Sequence, residues 1–178
     1  MTTASQPRLD SHSPALSVAS AIKGLDFVEA ESELQISAIR ELFLEYAQSL
    51  GFSLCFQGFD KELAGLPGDY APPRGRLTLA ITNGKPAGCV ALHPLSSEIC
   101  EMKRLYVRSE FRGKGIGRAL TERVIADARR IGYQRLRLDT VEPKMKTAVA
   151  MYRKLGFREI APYRTNPIEG ALYMELAL

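Results

Sequence analysis

Apolar residues recur at helical spacing in two long segments of the chain, and this pattern predicts two amphipathic helices. The first begins at Ser32 and Gln35, which have the spacing of a capping box, and it ends before Gly51. The second carries an apolar stripe over residues 116–131 and ends at Gly132. Two shorter segments, "FDKELAGL" and "KMKTAVAMYRKL", are also predicted to be helical.

The other apolar segments are short and bounded by turn residues, as strands are. "RLTLAIT" and "PAGCVALHPL" flank "NGK", which predicts a hairpin, and "EICEMKRLYV" is predicted to be a third consecutive strand. "QRLRLDT" follows the second long helix, and "FREIAPYR" and "ALYMELAL" are predicted to close the fold as an antiparallel pair. This order of elements predicts an α/β (α+β) fold with a mixed, mostly antiparallel central sheet flanked by helices.

Length and composition are those of one globular domain. The chain has 178 residues, of which 46% are hydrophobic and 25% are charged. No apolar run approaches the ~18 residues that span a bilayer, and the Ser-rich start lacks the features of a secretion signal. We therefore expect a disordered tail over residues 1–22, a single domain over residues 23–178, a cytoplasmic location and no contact with a membrane.

Cysteine and histidine positions argue against a metal site. Cys55, Cys89 and Cys100 have no CxxC spacing, His12 lies in the expected tail, and His93 stands alone near a strand end. We therefore predict that the cysteines are reduced and behave as small hydrophobic residues. We also predict no metal cofactor and no histidine-based catalytic triad.

Basic residues are concentrated in one part of a chain whose net charge is +4. Between Lys103 and Arg158 there are 16 lysines and arginines against 5 acidic residues. Such a region is expected to bind a polyanion, which is either a nucleic acid or a small, multiply phosphorylated cofactor. The region lacks the interleaved aromatic residues of a nucleic-acid reader, so we expect no nucleic-acid partner.

The second long helix begins in a turn rich in glycine and positive charge. The turn contains Arg112, Gly113, Lys114, Gly115, Ile116, Gly117 and Arg118. The glycines allow positive φ and let an anion approach the unpaired amide groups of the helix N-terminus. The spacing is neither that of a dinucleotide-binding turn nor that of a nucleotide P-loop. A pyrophosphate fits the turn, and a basic helix cap without a ligand is the alternative.

The segment "RGKGIG" satisfies the pattern [Q/R]-x-x-G-x-[G/A], and the chain resembles the GNAT superfamily, the GCN5-related N-acetyltransferases. The resemblance extends from about Leu34 to the C-terminus. It includes the order of elements, the charged strand before the glycine turn, and "AVAMYRKLGF", which is similar to the second signature of the family. It implies transfer of an acetyl group from acetyl-CoA to a primary amine by direct attack on the thioester.

The same resemblance implies where acetyl-CoA lies. Its pyrophosphate is expected on the amide groups of residues 113–118, and its pantetheine arm beside the backbone of Leu105 and Val107. The family often has Asn where this chain has Met145, so Thr140 or the backbone is expected to make the polar contact that orients the pantetheine. The residues expected to contact the cofactor are Leu105, Tyr106, Val107, Arg112, Gly113, Lys114, Gly115, Ile116, Gly117, Arg118, Met145 and Ala148.

Two side chains are implied to carry the chemistry. Glu101 matches the glutamate position of GNAT histone acetyltransferases and is the candidate base, with a pKa raised by burial or acting through water. A simple ion pair is the alternative role for Glu101, and Glu98 and Asp139 are the other candidates. Tyr152 matches the tyrosine that the family places beside the CoA sulfur and is the candidate acid, with core packing as its alternative role.

The oxyanion is expected to meet a backbone N–H group rather than a side chain. The resemblance implies a bulge in the strand before the glycine turn, which frees the N–H of Leu105 or Tyr106. The acceptor is expected where this strand and the strand ending at Thr140 separate. Phe52 and Phe56 would form apolar walls there, and Arg164 would hold a carboxylate of an amino acid or small peptide.

Two other functions stay open at this point. One is a non-catalytic acyl-CoA-binding module, and the other is a nucleic-acid-binding domain that uses the basic region. A homodimer is a mild expectation, and the identity of the amine is not predicted.

Overall fold

The computed structural model describes residues 22–178, and the structural statements below concern this part of the chain. The predicted tail lies outside the described residues, apart from Ile22. None of the helices in residues 22–178 has both the length and the hydropathy of a membrane-spanning helix. Within the same residues, no group of three or more His, Cys, Asp and Glu side chains is arranged to hold a metal ion.

Seven strands form one mixed sheet in the described part of the chain. They are β1 (Leu25–Glu29), β2 (Arg76–Thr82), β3 (Lys85–Pro94), β4 (Ile99–Val107), β5 (Arg135–Val141), β6 (Arg158–Glu159) and β7 (Ala171–Ala177). Their spatial order is β1-β2-β3-β4-β5-β7-β6, and every neighbouring pair is antiparallel except the parallel pair β4–β5. The predicted mixed, mostly antiparallel sheet is confirmed.

Helices cover both faces of this sheet. They are α1 (Glu33–Leu50), α2 (Phe59–Ala64), α3 (Ile116–Ile131) and α4 (Lys146–Lys154). On one face, Phe43 of α1 and Phe59 of α2 belong to a core that includes Leu77 of β2. On the other face, Leu120 of α3 and Tyr152 of α4 belong to a second core. The two long helices, α1 and α3, each bury one apolar stripe, which is the arrangement that the sequence periodicity predicts.

Local signals in the sequence fix several of these boundaries. The Ser32 Oγ atom accepts a hydrogen bond from the N–H of Gln35, and the Gln35 side chain accepts one from the N–H of Ser32, so the predicted capping box is confirmed. The predicted hairpin is also confirmed, because Asn83 (φ 50°) and Gly84 (φ 75°) turn the chain between β2 and β3. Positive φ at both central residues is what a type I′ turn requires.

Both edges of the sheet differ from the prediction. The sequence analysis missed β1, because "LDFVE" is only five residues long and contains two acidic side chains, too little for a recognisable strand pattern. The closing antiparallel pair is confirmed as β6 and β7, but β6 has only two residues. Strand β7 lies between β6 and β5, and it pairs with β5 from Arg135 to Val141.

The cysteines are all unpaired. Cys89 and Cys100 are buried, as small hydrophobic residues often are, whereas Cys55 is exposed in a short 3-10 turn. Burial raises the pKa of Cys100 to about 12 and that of Cys89 further still, although nearby basic residues oppose the shift. Neither buried thiol is therefore ionised near neutral pH.

Two irregularities of β4 create the space for a site. Strands β4 and β5 pair only over residues 99–101 and 135–137, and beyond them the two strands continue without pairing. On its other side, β4 holds one extra residue, because Ala91 pairs with Lys103 while Cys89 pairs with Tyr106. Arg104 occupies this bulge with φ 57°, so the predicted bulge before Leu105 is confirmed.

Candidate active site

A cavity of about 1040 Å³ lies where β4 and β5 separate. It extends from the glycine turn at the start of α3 to the segment that joins α1 and α2. Its lining includes these residues that the sequence analysis selected: Phe52, Phe56, Leu105, Tyr106, Val107, Arg112, Gly113, Gly115, Ile116, Gly117, Arg118, Thr140, Met145, Ala148 and Tyr152. The sequence analysis also selected Glu101, Lys114 and Arg164 as site residues, but these three residues do not line the cavity.

The glycine turn leaves the N-terminus of α3 open to a ligand. Gly113 (φ 75°) and Gly115 (φ 83°) both have positive φ, as predicted, whereas Gly117 does not. No side chain of the described residues caps α3. The first amide groups of this 16-residue helix therefore retain their hydrogen-bonding capacity, and the helix dipole adds a partial positive charge there.

The cations of the turn are partly engaged with the protein. Arg112 donates through Nε to the carbonyl of Val107 at 2.9 Å, and Arg118 pairs with Glu122 at 2.8 Å on the exposed side of α3. The Lys114 Nζ atom donates to the carbonyl of Glu110, which explains why its side chain does not line the cavity. The expected contact of Lys114 with the cofactor thus rests on its backbone N–H alone.

Tyr152 lies on the cavity wall with its ring in the core. The residue is buried, and its ring centroid is 5.6 Å from that of Phe157. Its hydroxyl makes no hydrogen bond with another described residue, and burial raises its pKa well above the usual range, so the phenol remains protonated. A protonated phenol beside the cavity can donate a hydrogen bond to a ligand that binds there.

Met145 and Thr140 contact each other at the wall of the cavity. Met145 precedes α4, and the Thr140 hydroxyl donates a hydrogen bond to its sulfur at 3.2 Å. Both residues line the cavity, so this hydroxyl is near the position where a polar contact with the pantetheine was expected.

Glu101 lies at the centre of a buried polar network. Its carboxylate accepts a hydrogen bond from the Tyr163 hydroxyl at 2.5 Å, lies 2.8 Å from Nε2 of His93, and pairs with Arg164 at 2.6 Å. The side chain has no exposed area. His93 does not stand alone as expected, because it lies directly opposite Glu101 in the β3–β4 register.

The environment keeps Glu101 ionised. Burial by itself would raise the pKa, but the contacts with His93 and Tyr163 and the charges of Arg164 and Lys103 outweigh it and lower the pKa to about 2. The expectation of a raised pKa is therefore wrong, because burial here comes with several donors. A carboxylate with this pKa is a weak proton acceptor near neutral pH.

Arg164 joins the two strands where they begin to separate. Its guanidinium contacts Glu101 of β4 and Asp139 of β5, and Asn166 donates to the second oxygen of Asp139 at 3.0 Å. Asp139 and Asn166 line the cavity, and Arg164 does not. Of the three acidic residues considered as a base, Asp139 is therefore the one that faces the cavity. Glu98 is exposed in the turn before β4.

A second buried ion pair supports the bulge of β4. Arg104 contacts Glu62 of α2 through two hydrogen bonds, at 2.9 and 2.6 Å, and the Tyr70 hydroxyl donates to the same carboxylate at 2.7 Å. Burial acts against both charges, but their mutual contact outweighs it, so the pKa of Glu62 is lowered and that of Arg104 is raised. The Arg104 guanidinium also lies over the Phe59 ring, at 5.2 Å from the centroid.

Several residues of the site were not found from the sequence. Lys103, Arg104 and Lys144 line the cavity, although the sequence analysis counted them only as part of the basic region. The one usable signal was the charged pattern of "EMKRLYV" within an otherwise apolar strand, which placed polar side chains inside a sheet.

Comparison with known proteins gives concordant results. The sequence profile described as the Acetyltransferase (GNAT) family matches residues 36–157. An uncharacterised N-acetyltransferase of Schizosaccharomyces pombe is 39% identical over 158 residues, which cover 83% of this chain and 96% of the relative.

Solved structures of similar fold include two acetyltransferases. One from Streptococcus agalactiae superimposes with a TM-score of 0.71 and 21% identity, and the match covers 88% of this chain and 99% of the other. Another is the YncA protein of Salmonella typhimurium, described as a putative acetyltransferase with its cofactor acetyl-CoA. It superimposes with a TM-score of 0.63 and 19% identity, and the match covers 87% of this chain and 94% of the YncA chain.

Proposed function

Because the chain belongs to the GNAT family of acetyltransferases, we propose that it transfers the acetyl group of acetyl-CoA to a primary amine of a small molecule, an amino acid or a peptide. One observation carries the proposal. A single cavity joins the uncapped N-terminus of α3, the unpaired side of β4 and the Tyr152 side chain to a polar region between α1 and β5.

The residues of the cavity fit acetyl-CoA. The open amide groups at the start of α3 suit a pyrophosphate, and Arg118 and Lys146 add positive charge at the same end. The unpaired backbone of β4 from Leu105 to Val107 can hydrogen-bond the amide groups of the pantetheine arm as a neighbouring strand would. When bound, acetyl-CoA supplies the acetyl group as a thioester, whose carbonyl carbon an amine can attack.

The proposed roles of the protein groups follow from their positions. The amine nitrogen forms a bond to the carbonyl carbon, and the bond from that carbon to sulfur breaks. A backbone N–H of Leu105 or Tyr106, next to the bulge, stabilises the negative oxygen that develops. The protonated Tyr152 hydroxyl donates to the departing sulfur.

The proton of the ammonium substrate must also leave before the attack. Glu101 was the expected base, but its burial, its three partners and its low pKa favour a positioning role, in which it holds Arg164 against Asp139. Asp139 lines the cavity, and we propose that it accepts this proton, directly or through water. The expected homodimer and the cytoplasmic location stay predictions.

Two measurements on the full chain test the proposed function. Calorimetry should show binding of acetyl-CoA, and a thiol-release assay over amines, amino acids and short peptides should show CoA formation that depends on the acceptor. Binding without release in the presence of any amine would instead favour an acyl-CoA-binding module. Steeply salt-dependent binding of DNA or RNA that excess CoA does not affect would favour the nucleic-acid alternative.

A further inference from the structure

The cavity is lined by many more positive than negative side chains. The basic residues are Lys103, Arg104, Arg112, Arg118, Lys144 and Lys146, and the acidic residue among the lining residues is Asp139. Arg112 and Arg118 belong to the glycine turn, and Lys146 begins α4 beside it, so these three lie at the end proposed for the CoA phosphates. The remaining basic residues lie toward the other end, where an ammonium substrate would have to enter.

Two of the remaining cations are already engaged with the protein. Arg104 is paired with Glu62 through two hydrogen bonds. Lys144 donates to the carbonyl of Leu50 at 2.9 Å, and its Nζ atom lies 4.9 Å from the centroid of the Phe52 ring. Both side chains therefore have a structural partner without any ligand.

Lys103 is different. It makes no hydrogen bond, and no ion pair within 4.0 Å, with any residue in the part of the chain that the structure describes. Its partner across the β3–β4 register is Ala91, which belongs to the core under α1 and α2, so Lys103 lies on that face of the sheet. It is half-buried and lines the cavity.

The surroundings of Lys103 make an unpaired ammonium costly. Burial lowers its pKa, the charges of Arg104 and Arg164 lower it further, and those of Glu101 and Glu62 act in the opposite direction. Both of these carboxylates are already bound by arginines. A half-buried cation without its own counter-ion is stabilised by an anion that arrives with a ligand.

We propose that Lys103 binds the carboxylate of the acceptor, so that the amine substrate is a free amino acid. This inference rests on the proposed function and narrows its substrate class. The sequence analysis gave this role to Arg164, but the Arg164 guanidinium is held by Glu101 and Asp139. Lys103 lies on the same strand as the bulge and two residues before Leu105, beside the place where the amine must meet the acetyl group.

The same charges act against other amines. A polyamine or an aminoglycoside would bring a second positive charge next to Lys103 and Arg104, in a region where water screens poorly. An amino acid brings a carboxylate that offsets its own ammonium charge, and this carboxylate matches the unpaired Lys103. The carboxylate of the substrate, rather than its amine alone, is therefore what the site selects.

The experiment compares matched pairs of acceptors on the full chain. Free amino acids are assayed against the corresponding amino acid amides and decarboxylated amines, with wild-type protein, Lys103→Met, Lys103→Arg and the control Lys61→Met. Lys61 is an exposed lysine on α2 outside the cavity lining, so its substitution makes the same chemical change away from the site. Calorimetry with acetyl-CoA is run on each protein.

The expected result is a selective effect on one class of acceptor. For amino acids, Lys103→Met should raise KM about 10- to 100-fold, which is the effect expected from the loss of one charge-assisted hydrogen bond. The change in kcat should be smaller. For the amides, KM should change less than about two-fold, Lys103→Arg should restore most of the loss, and acetyl-CoA binding should be unaltered in all variants.

The contrary outcomes separate the two proposals. If wild-type protein acetylates amides and simple amines as efficiently as amino acids, or if Lys103→Met weakens all acceptors equally, the amino-acid inference is wrong and the acetyltransferase proposal stands. If acetyl-CoA binds but no amino acid is acetylated, the inference is also wrong. If wild-type protein does not bind acetyl-CoA, both proposals fail.

Discussion

The two ends of the cavity are built in different ways. At the end formed by the glycine turn, the groups proposed to contact the ligand are backbone amides of residues 113–118, and the ion pair beside them joins Glu122 to Arg118, whose side chain is 51% exposed. At the other end, which we call the acceptor end, side chains from β3, β4, β5, α2 and the loop before β7 form two buried ion-pair networks.

This difference shows what each end requires of the rest of the fold. The glycine turn needs only a helix start and the right φ values, which neighbouring residues in the sequence supply. The acceptor end needs residues such as Glu62 and Arg104, or Glu101 and Arg164, to come together across more than 40 positions of the chain. Stability and substrate choice should therefore be coupled at the acceptor end and independent at the other.

Breaking a buried ion pair at the acceptor end should have the largest effect. Glu62→Gln keeps the shape of the side chain but leaves the Arg104 charge, whose side chain is 3% exposed, without a counter-ion. We expect the free energy of unfolding to fall by about 3–5 kcal/mol in urea denaturation. The matched change Glu122→Gln leaves the Arg118 charge without its partner, but the Arg118 side chain is 51% exposed and stays hydrated, so the cost should be only about 1 kcal/mol. Equal losses in the two variants would remove the distinction between the ends.

The Glu101 network should appear in the pH dependence of stability. The pKa of Glu101 is about 2 in the folded protein against an ordinary value of 4.5, so its contribution is fully present above about pH 4.5. As the pH falls from about 4.5 to 2, wild-type protein should lose about 3 kcal/mol that Glu101→Gln does not lose. The measurement is chemical denaturation at several pH values, with Glu98→Gln as an exposed control. A parallel course for wild type and Glu101→Gln would contradict the ionised, paired state.

A pair of glycine variants tests the other end. Gly115 (φ 83°) and Gly132 (φ 100°) both have positive φ and flank the same helix, α3. Alanine at either position should cost about 1–2 kcal/mol of stability through backbone strain. Only Gly115→Ala should also weaken acetyl-CoA binding, by about 100-fold in calorimetry, because the strained φ falls in the turn whose amide groups are proposed to hold the pyrophosphate. Similar affinities in the two variants would argue against an anion site at this turn.

The smallest expected effect concerns a single hydroxyl. Tyr152→Phe removes a group that has no hydrogen-bond partner among the described residues, so stability should change by less than about 0.5 kcal/mol. The value of kcat should fall about 10-fold through the loss of one hydrogen bond to the departing sulfur. Tyr133→Phe is the control, since its hydroxyl donates to the Arg74 carbonyl but lies outside the site. It should cost about 1 kcal/mol of stability and leave kcat unchanged.

The glycine-turn end could be predicted from the sequence because its information is local. The turn, the start of α3 and the lining residues Leu105 to Val107 all lie within one continuous segment. The location of Met145, Ala148 and Tyr152 on one face follows from helical spacing once the position of α4 is known. The bulge at Arg104 was expected only through the resemblance to a family, since no local pattern requires it.

The acceptor end could not be predicted in the same way, because ion pairs depend on which elements meet. The sequence indicated that Glu101 lies among many cations, but not that His93, Tyr163 and Arg164 would all bind it. Those contacts lower the pKa of Glu101, so the residue expected to act as a base is instead a buried, ionised carboxylate. The pairing of Arg164 with Glu101 and Asp139 was not foreseen for the same reason. Strand β1 was missed because so short an edge strand has little pattern of its own.

The separation of β4 from β5 also bears on aggregation. Strands that lack a neighbour usually expose a row of backbone groups with which another protein molecule can pair. Here the unpaired rows, residues 102–107 of β4 and 138–141 of β5, face each other inside the sheet, where a foreign strand has no access from the side. The outer edges of the sheet are β1, which carries two acidic residues, and the two-residue β6, which pairs with β7 only at Met174 and Glu175. The edge proposed for recognition is thus separate from the outer edges at which other molecules could pair.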